Sequence, residues 1–194
     1  YPTSIRLVNW IKWLSRNNFR DQKINHSMVF QVRFLMKRIE YHILGNHIIT
    51  NAKALIFVGA YFTGNEADSW LFKGCNILAR EFPKQILSDG GHYELSPMYH
   101  AIIVEDSLDL INLLEANKHR FHDLSPVDAT LSLLRLKMPR QLQWLVSMTH
   151  PDGGEAFFND TTFGIAQKTA KLLQYASSLG FSGIKTIQDG TDHS

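Results

Sequence analysis

The segment from Asp89 to His100, Asp-Gly-Gly-His-Tyr-Glu-Leu-Ser-Pro-Met-Tyr-His, contains more reactive side chains than any other stretch of this 194-residue chain. Ser96-Pro97 is typical of a helix start, with Ser96 as N-cap and Pro97 at the first helical position. Tyr99 then falls in the first turn, where unpaired backbone N–H groups and the helix dipole favour negative charge. This position suits a tyrosine that acts as a catalytic acid or base.

The same segment also suits a turn with no chemical role. Gly90 and Gly91 supply the positive φ angles that close a turn after a helix. A tyrosine at the next helix start could simply pack its ring on a neighbour. The other segments of the chain favour the catalytic interpretation.

Composition excludes several classes of protein. The chain has a net charge of +2, nine histidines and no basic run, so we expect no nucleic-acid partner, although an anionic ligand could bind if basic groups gather in one cleft. The longest apolar stretch, 54–62, is shorter than the roughly 20 residues that span a bilayer. Cys75 is the single cysteine, which excludes an internal disulfide. No signal peptide is visible, and because the chain begins at Tyr1 an export signal could lie outside it.

Apolar residues recur at helical spacing along most of the chain. The predicted helices are 2–17 with Thr3 or Ser4 as cap, 24 or 26 to 44, 46–63 with Asn46 as cap, 66–87, 97–116, one from 125 that Pro139 divides, and 166–178. The helix from 46 is apolar on nearly every face and should be buried. The only strand signal is a short pair around 156–158.

This pattern predicts an all-α fold of antiparallel helix hairpins, and an (α/α) toroid or solenoid fits it better than a four-helix bundle. We assign residues 1–180 to this domain and residues 181–194 to a polar tail. Two Asp-Gly-Gly tripeptides, at 89–91 and 152–154, hint at a repeated hairpin layout.

Three stretches together resemble the heparinase II/III family of polysaccharide lyases, which is also similar to the oligoalginate lyases. They are 41–55 (Tyr-His-Ile-Leu-Gly-Asn-His-Ile-Ile-Thr-Asn-Ala-Lys-Ala-Leu), 85–100 and 150–160, and the opening 1–13 is similar too. The resemblance implies an incomplete (α/α) toroid of antiparallel helix hairpins, whose concave cleft binds an acidic polysaccharide. In the family a C-terminal β-sandwich domain follows. It also implies β-elimination at a uronic acid.

The resemblance assigns catalytic roles to Asn46, His47 and Tyr99. Asn46 matches the family's amide that neutralises the uronate carboxylate, which makes the neighbouring C5 proton more acidic. His47 matches the adjacent histidine, a residue type that can serve as base near neutral pH. Tyr99 matches the tyrosine that takes or gives the proton. Each residue also has a structural alternative: Asn46 as an N-cap, His47 as a core histidine, and Tyr99 as a packing residue.

Substrate contacts, or support of the residues that make them, are predicted for His92, Glu94, His100 and Asn159. Asn159-Asp160 could equally be a plain turn. Where the family often has an arginine after the glutamate, this chain has Leu95, which could change substrate preference.

The chain ends before any β-sandwich, the domain that in the family supplies a further histidine and commonly a structural metal. We therefore expect no cofactor or metal in this chain, weak or absent activity of the chain alone, and no membrane insertion. By analogy with the family we expect a periplasmic or secreted location.

Two other functions are considered. One is a non-catalytic helical module that binds carbohydrate or acts as a scaffold. The other is a glycoside hydrolase, which needs two carboxylates beside the sugar bond. Because Glu94 has no evident acidic partner in the sequence, the hydrolase ranks last.

Overall fold

The computed structural model describes residues 1–43 and 45–184, and this part of the chain is all-α, as predicted. It has seven α-helices and one short 3₁₀ helix, and no strand among these residues. The prediction of a short strand pair around 156–158 was wrong, since these residues form no strand. The described residues contain two isolated antiparallel bridges, Ile86 with His92 and Thr149 with Glu155. The helices are α1 Pro2–Arg16, α2 Gln22–Lys37, α3 Asn46–Tyr61, α4 Asn65–Gln85, α5 Pro97–Asn117, α6 Ser125–Ser147 and α7 Thr169–Ser178, with the 3₁₀ helix at Lys118–Arg120.

The chain divides into two compact units. The first unit comprises Tyr1–Phe82 and Leu113–Thr130, and the second comprises Pro83–Asn112 and the residues from Leu131 onward. The prediction of one toroid over 1–180 stays a prediction. Of the predicted tail, residues 181–184 have no regular secondary structure, and residues 185–194 lie outside the described part.

Helix α3 forms the centre of the first unit, because 14 of its 16 residues are buried. Its apolar faces contact α1 and α2, and α4 packs against it closely. A Cβ at Gly59 would lie 2.7 Å from the Cβ of Leu71, and one at Gly74 would lie 2.7 Å from Cγ1 of Ile56. These two glycines therefore let the backbones of α3 and α4 approach each other. The predicted burial of α3 is confirmed.

Helix α2 ends at Lys37, so the prediction that it continues to 44 was wrong. Beyond the helix, the backbone N–H of Glu40 donates to Oδ1 of Asn51 at 2.9 Å. This contact from α3 takes an amide that would otherwise continue the helix. The start was also misplaced, since Asp21 caps α2 by accepting from the N–H of Ile24 at 2.9 Å.

Other helix ends also differ from the prediction. Helix α1 starts directly with Pro2 after Tyr1, and neither Thr3 nor Ser4 caps it. Pro139 does not divide α6, which is continuous through it. A proline inside a helix removes one hydrogen bond, and the surrounding turns here remain helical.

The first Asp-Gly-Gly turn follows α4. Oδ1 of Asp89 accepts from the N–H of Gly91 at 2.9 Å, and the N–H of Leu87 donates to the carbonyl of Gly91 at 2.9 Å. The N–H of Gly90 donates to the carbonyl of Leu87 at 3.1 Å. The aspartate thus holds the turn through its side chain.

The second Asp-Gly-Gly turn follows α6 and repeats this pattern. Oδ1 of Asp152 accepts from the N–H of Gly154 at 2.8 Å. The N–H of His150 donates to the carbonyl of Gly154 at 2.8 Å, and the N–H of Gly153 donates to the carbonyl of His150 at 2.8 Å. The two Asp-Gly-Gly tripeptides therefore form turns with the same hydrogen bonds, as the repeat in the sequence suggests.

Candidate active site

A pair of buried histidines lies below the first Asp-Gly-Gly turn in the second unit. His92 and His100 are both fully buried. Nδ1 of His100 accepts from the backbone N–H of His92 at 3.3 Å, and its Nε2 lies 2.9 Å from the carbonyl of Gln141. Because an N–H only donates and a carbonyl only accepts, His100 is neutral with its proton on Nε2. Burial lowers the pKa of His100 to about 4.

His92 is held on its other side by helix α4. Its Nε2 lies 3.1 Å from Oε1 of Gln85, an acceptor, so Nε2 carries the proton. Its Nδ1 is buried without a hydrogen-bond partner in the described residues, and lies 3.8 Å from Oε2 of Glu94. Burial, and then the neighbouring His100, lower the pKa of His92 to about 4. Both imidazoles are therefore neutral near pH 7 and act as fixed hydrogen-bonding groups.

The glycines of the turn allow helix α6 to pack on this pair. A Cβ at Gly91 would lie 2.6 Å from Nε1 of Trp144, whose ring contacts that of His100 at a centroid distance of 4.4 Å. A Cβ at Gly90 would lie 2.3 Å from the carbonyl carbon of Arg140. The turn and α6 thus fit together only with glycine at both positions.

Tyr99 lies in the first turn of α5, as predicted, and its side chain is half-buried. Oγ of Ser96 accepts from the N–H of Tyr99 at 3.4 Å, which confirms Ser96 as the cap. Ser96 also exchanges a hydrogen bond with the hydroxyl of Thr161 at 3.1 Å. His100, the next residue along the chain, is held by its contacts with His92 and Gln141. The backbone of Tyr99 is therefore fixed from both neighbouring sides.

Asn159 connects a distant loop to the turn before α5. Its side-chain amide donates to the carbonyl of Leu95 at 2.8 Å and to that of Glu94 at 3.3 Å. Both Asn159 and Leu95 adopt positive φ angles, of 49° and 53°. Glu94 is 28% exposed. The loop around Asn159 therefore supports the surface on which Glu94 and Tyr99 lie.

In the first unit, Asn46 and His47 begin helix α3. The prediction that Asn46 caps this helix was wrong, because Gly45, with φ of 63°, is the N-cap and Asn46 is the first helical residue. Glycine suits this position because other residues resist positive φ. Asn46 is 5% exposed, and His47 is about one-third exposed.

A buried polar cluster lies beside His47. Oε2 of Glu40 lies 3.7 Å from Nδ1 of His47 and accepts from the side-chain amide of Asn51 at 2.9 Å. The same amide donates to Oγ of Ser4 at 3.0 Å, and the ring of Tyr1 stacks on that of His47 at 4.4 Å. The imidazole thus lies between the ring of Tyr1 and the carboxylate of Glu40, and Asn51 of α3 holds that carboxylate in place.

The structure thus groups the predicted residues by unit. Asn46 and His47 are neighbours at the start of α3, and His92, Glu94, Tyr99, His100 and Asn159 belong to the second unit. That Asn46 and His47 converge with Tyr99 stays a prediction.

Several residues of both units were not predicted from the sequence. They are Glu40, Asn51, Gln85, Gln141 and Trp144. For Asn51, Gln85 and Gln141 the sequence signal is a polar side chain on an otherwise apolar helix face, whereas Glu40 lies outside the helices and Trp144 fits the apolar pattern of α6.

The described residues include no group of three or more His, Cys, Asp or Glu side chains that could hold a metal ion. None of the helices in that part of the chain has the length and apolarity needed to cross a bilayer.

The sequence matches a known family over most of its length. Residues 11–182 match the family described as Heparinase II/III N-terminus. The chain therefore belongs to this family, which confirms the resemblance seen in the sequence motifs.

Three relatives, all heparin-sulfate lyases, share parts of the sequence. The lyase from Pedobacter heparinus is 27% identical over 134 residues, which are 69% of this chain and 19% of that enzyme. The lyase from Bacteroides thetaiotaomicron is 40% identical over 75 residues, which are 38% of this chain and 11% of that enzyme. The lyase from Bacteroides stercoris is 34% identical over 76 residues, which are 39% of this chain and 11% of that enzyme. The chain thus spans less than a fifth of these enzymes.

A solved structure described as the crystal structure of heparinase III has the same fold. It matches with a TM-score of 0.74 and 24% identity, over 93% of this chain and 29% of that chain. This match supports the all-α fold.

Proposed function

We propose that this chain is the helical part of a polysaccharide lyase that cleaves an acidic, uronic acid-containing polysaccharide by β-elimination. The observation that carries the proposal is the setting of Tyr99, which is half-buried in the first turn of α5 and fixed by the Ser96 cap and the buried histidine pair. These contacts fix the backbone that carries the phenol, and a catalytic acid or base must be positioned within reach of the proton that it transfers. Family membership supports the reaction, and the three heparin-sulfate lyases make heparin sulfate the first substrate to test.

The start of α3 supports a role in neutralising the uronate. The first turn of a helix offers free N–H groups and a partial positive charge that attract a carboxylate. Asn46 is the first helical residue, after the Gly45 cap, and His47 lies beside Glu40 and Tyr1. We propose that Asn46 and His47 bind the carboxylate, which stabilises the negative charge that develops when the C5 proton leaves.

The other predicted residues are proposed to act mainly as support. His92 and His100 are fully buried, and three of their four ring nitrogens lie within hydrogen-bond distance of protein groups. We propose that they position Tyr99 and Glu94. Asn159 acts through the backbone carbonyls of residues 94 and 95. Glu94, whose side chain is 28% exposed, remains a proposed contact for substrate hydroxyl groups.

The test measures the ultraviolet absorbance of the unsaturated uronate product with heparin sulfate and other uronic acid polymers. Two forms are compared: the 194-residue chain, and a chimera in which it replaces the matching segment of the Pedobacter heparinus enzyme. We expect the chimera to be active, Tyr99→Phe to lower its kcat by about 10² to 10⁴-fold, and the exposed Tyr93→Phe control to be near wild type. A fully active Tyr99→Phe chimera would refute the assignment.

A second candidate is a helical module that binds carbohydrate without cleaving it. The exposed rings of Phe157 and Phe163, which stack at 5.1 Å in the second unit, favour it, since exposed aromatic faces suit contact with sugar rings. Binding of the polymer without product in either form, abolished by Phe157→Ala with Phe163→Ala, would establish this function instead.

A further inference from the structure

A cleft of about 420 Å³ lies in the first unit at the end of α3 opposite to Asn46 and His47. Tyr61 and Phe62 line it where α3 ends. A helix rises 1.5 Å per residue, so Tyr61 lies roughly 22 Å along the axis from Asn46. The cleft is therefore a separate site from the start of α3.

The charge of this cleft is positive. Arg20 and Arg120 line it, and none of its ten lining residues is acidic. Arg120 donates to Oδ1 of Asn117 at 3.3 Å, which is a neutral acceptor. For Arg20 we find no hydrogen bond or ion pair within residues 1–43 and 45–184. The adjacent Asp21 is engaged as the cap of α2. Two arginines with no carboxylate partner among the described residues favour an anionic ligand.

The remaining lining suits a sugar ring. Tyr61 and Phe62 are half-buried aromatic residues, and aromatic walls with a few convergent polar groups are typical of small-ligand sites. Asn18 and Asn25 add side-chain amides, each able to donate to and accept from hydroxyl groups. The hydroxyl of Tyr61 donates to Oδ1 of Asn25 at 3.4 Å, which fixes that ring relative to α2.

We propose that this cleft binds one anionic saccharide unit, with its sulfate or carboxylate group between Arg20 and Arg120 and its ring against Tyr61 and Phe62. The site adds to the proposed lyase function, because it holds the polymer about 20 Å from the start of α3 and takes no part in bond cleavage. Binding of the saccharide to this cleft can therefore be measured without cleavage of the polymer.

The test uses the 194-residue chain carrying Tyr99→Phe, so that binding is measured without cleavage and a failure of the lyase proposal does not affect the result. The ligands are a sulfated heparin tetrasaccharide, the same tetrasaccharide with its sulfates removed and its carboxylates kept, and the neutral tetramer of N-acetylglucosamine. Affinity is measured by calorimetry at two salt concentrations, and the binding site by backbone amide NMR shifts.

We expect Arg20→Ala with Arg120→Ala to weaken binding of the charged tetrasaccharide by on the order of tenfold, or about 1.4 kcal/mol, and to reduce its salt dependence. The matched control, Arg6→Ala with Lys37→Ala, also removes two exposed positive charges and should change affinity less than twofold. The amides of residues 61–63 should shift on binding in the parent chain. Circular dichroism checks that all the variants stay folded.

The three ligands separate the two anionic groups. Binding of the sulfated ligand alone would identify the sulfate, and binding of both charged ligands would identify the carboxylate. Equal binding of the neutral tetramer, equal weakening by the control pair, or unchanged amides at residues 61–63 would each overturn the proposal.

Discussion

Gly90→Ala should reduce the stability of the chain much more than Gly153→Ala. The two Asp-Gly-Gly turns have the same backbone conformation, but only in the first is the middle glycine packed against another element. Gly90 and Gly153 have φ angles of 96° and 82° and the same turn hydrogen bonds. A Cβ at Gly90 would lie 2.3 Å from the carbonyl of Arg140, whereas a Cβ at Gly153 would have no atom within 4 Å. Alanine at either site therefore meets the same backbone strain, and only at Gly90 does it also meet α6.

The expected magnitudes follow from these two contributions. A non-glycine residue with positive φ costs about 1–2 kcal/mol, and this is the whole expected loss for Gly153→Ala. Gly90→Ala adds the displacement of the backbone of α6, since a carbonyl cannot move as a side-chain end can, at about 1–3 kcal/mol. We expect a total of about 2–5 kcal/mol for Gly90→Ala.

Urea unfolding followed by circular dichroism measures both variants against the parent chain. An unchanged slope with a lower midpoint would indicate lost stability rather than a changed unfolded state. Equal losses in the two variants would refute the packing of the first turn against α6. Gly91→Ala extends the test, because its Cβ would meet Nε1 of Trp144 at 2.6 Å. Combining it with Trp144→Phe should cost less than the two single changes together.

Two further predictions concern stability. The two buried histidines of the second unit have pKa values of about 4 in the folded chain, against about 6.5 when unfolded. The unfolded chain therefore binds more protons between these values, so stability should fall as pH drops from 6.5 to 4, by on the order of 3 kcal/mol for each histidine. Urea unfolding at both pH values measures this loss. An equal stability at the two pH values would contradict it, and replacing the exposed His26 with glutamine should leave the difference intact. Asn51→Ala should cost about 2–4 kcal/mol in thermal unfolding, because it leaves the partly buried Glu40 without its amide partners. The exposed Asn9→Ala serves as control, and an equal loss there would show that the Asn51 contacts contribute nothing.

Much of the candidate site could be predicted because it depends on local sequence. Ser96-Pro97 starts α5 and places Tyr99 in its first turn by capping chemistry that needs no distant contact. The Asp-Gly-Gly turns likewise form through hydrogen bonds between residues close in the chain. The burial of His92 and His100 could not be predicted, because it depends on Gln85 and Gln141 from two other helices.

The sequence by itself determined the all-α class, the burial of α3 and the position of Tyr99, since periodicity, composition and capping are local properties. Only the tertiary structure decided where α2 ends, because Asn51 of α3 takes the amide of Glu40. It also decided that Gly45, rather than Asn46, caps α3. In both places a contact or a backbone angle set by packing outweighs a local propensity that is worth about 1 kcal/mol or less.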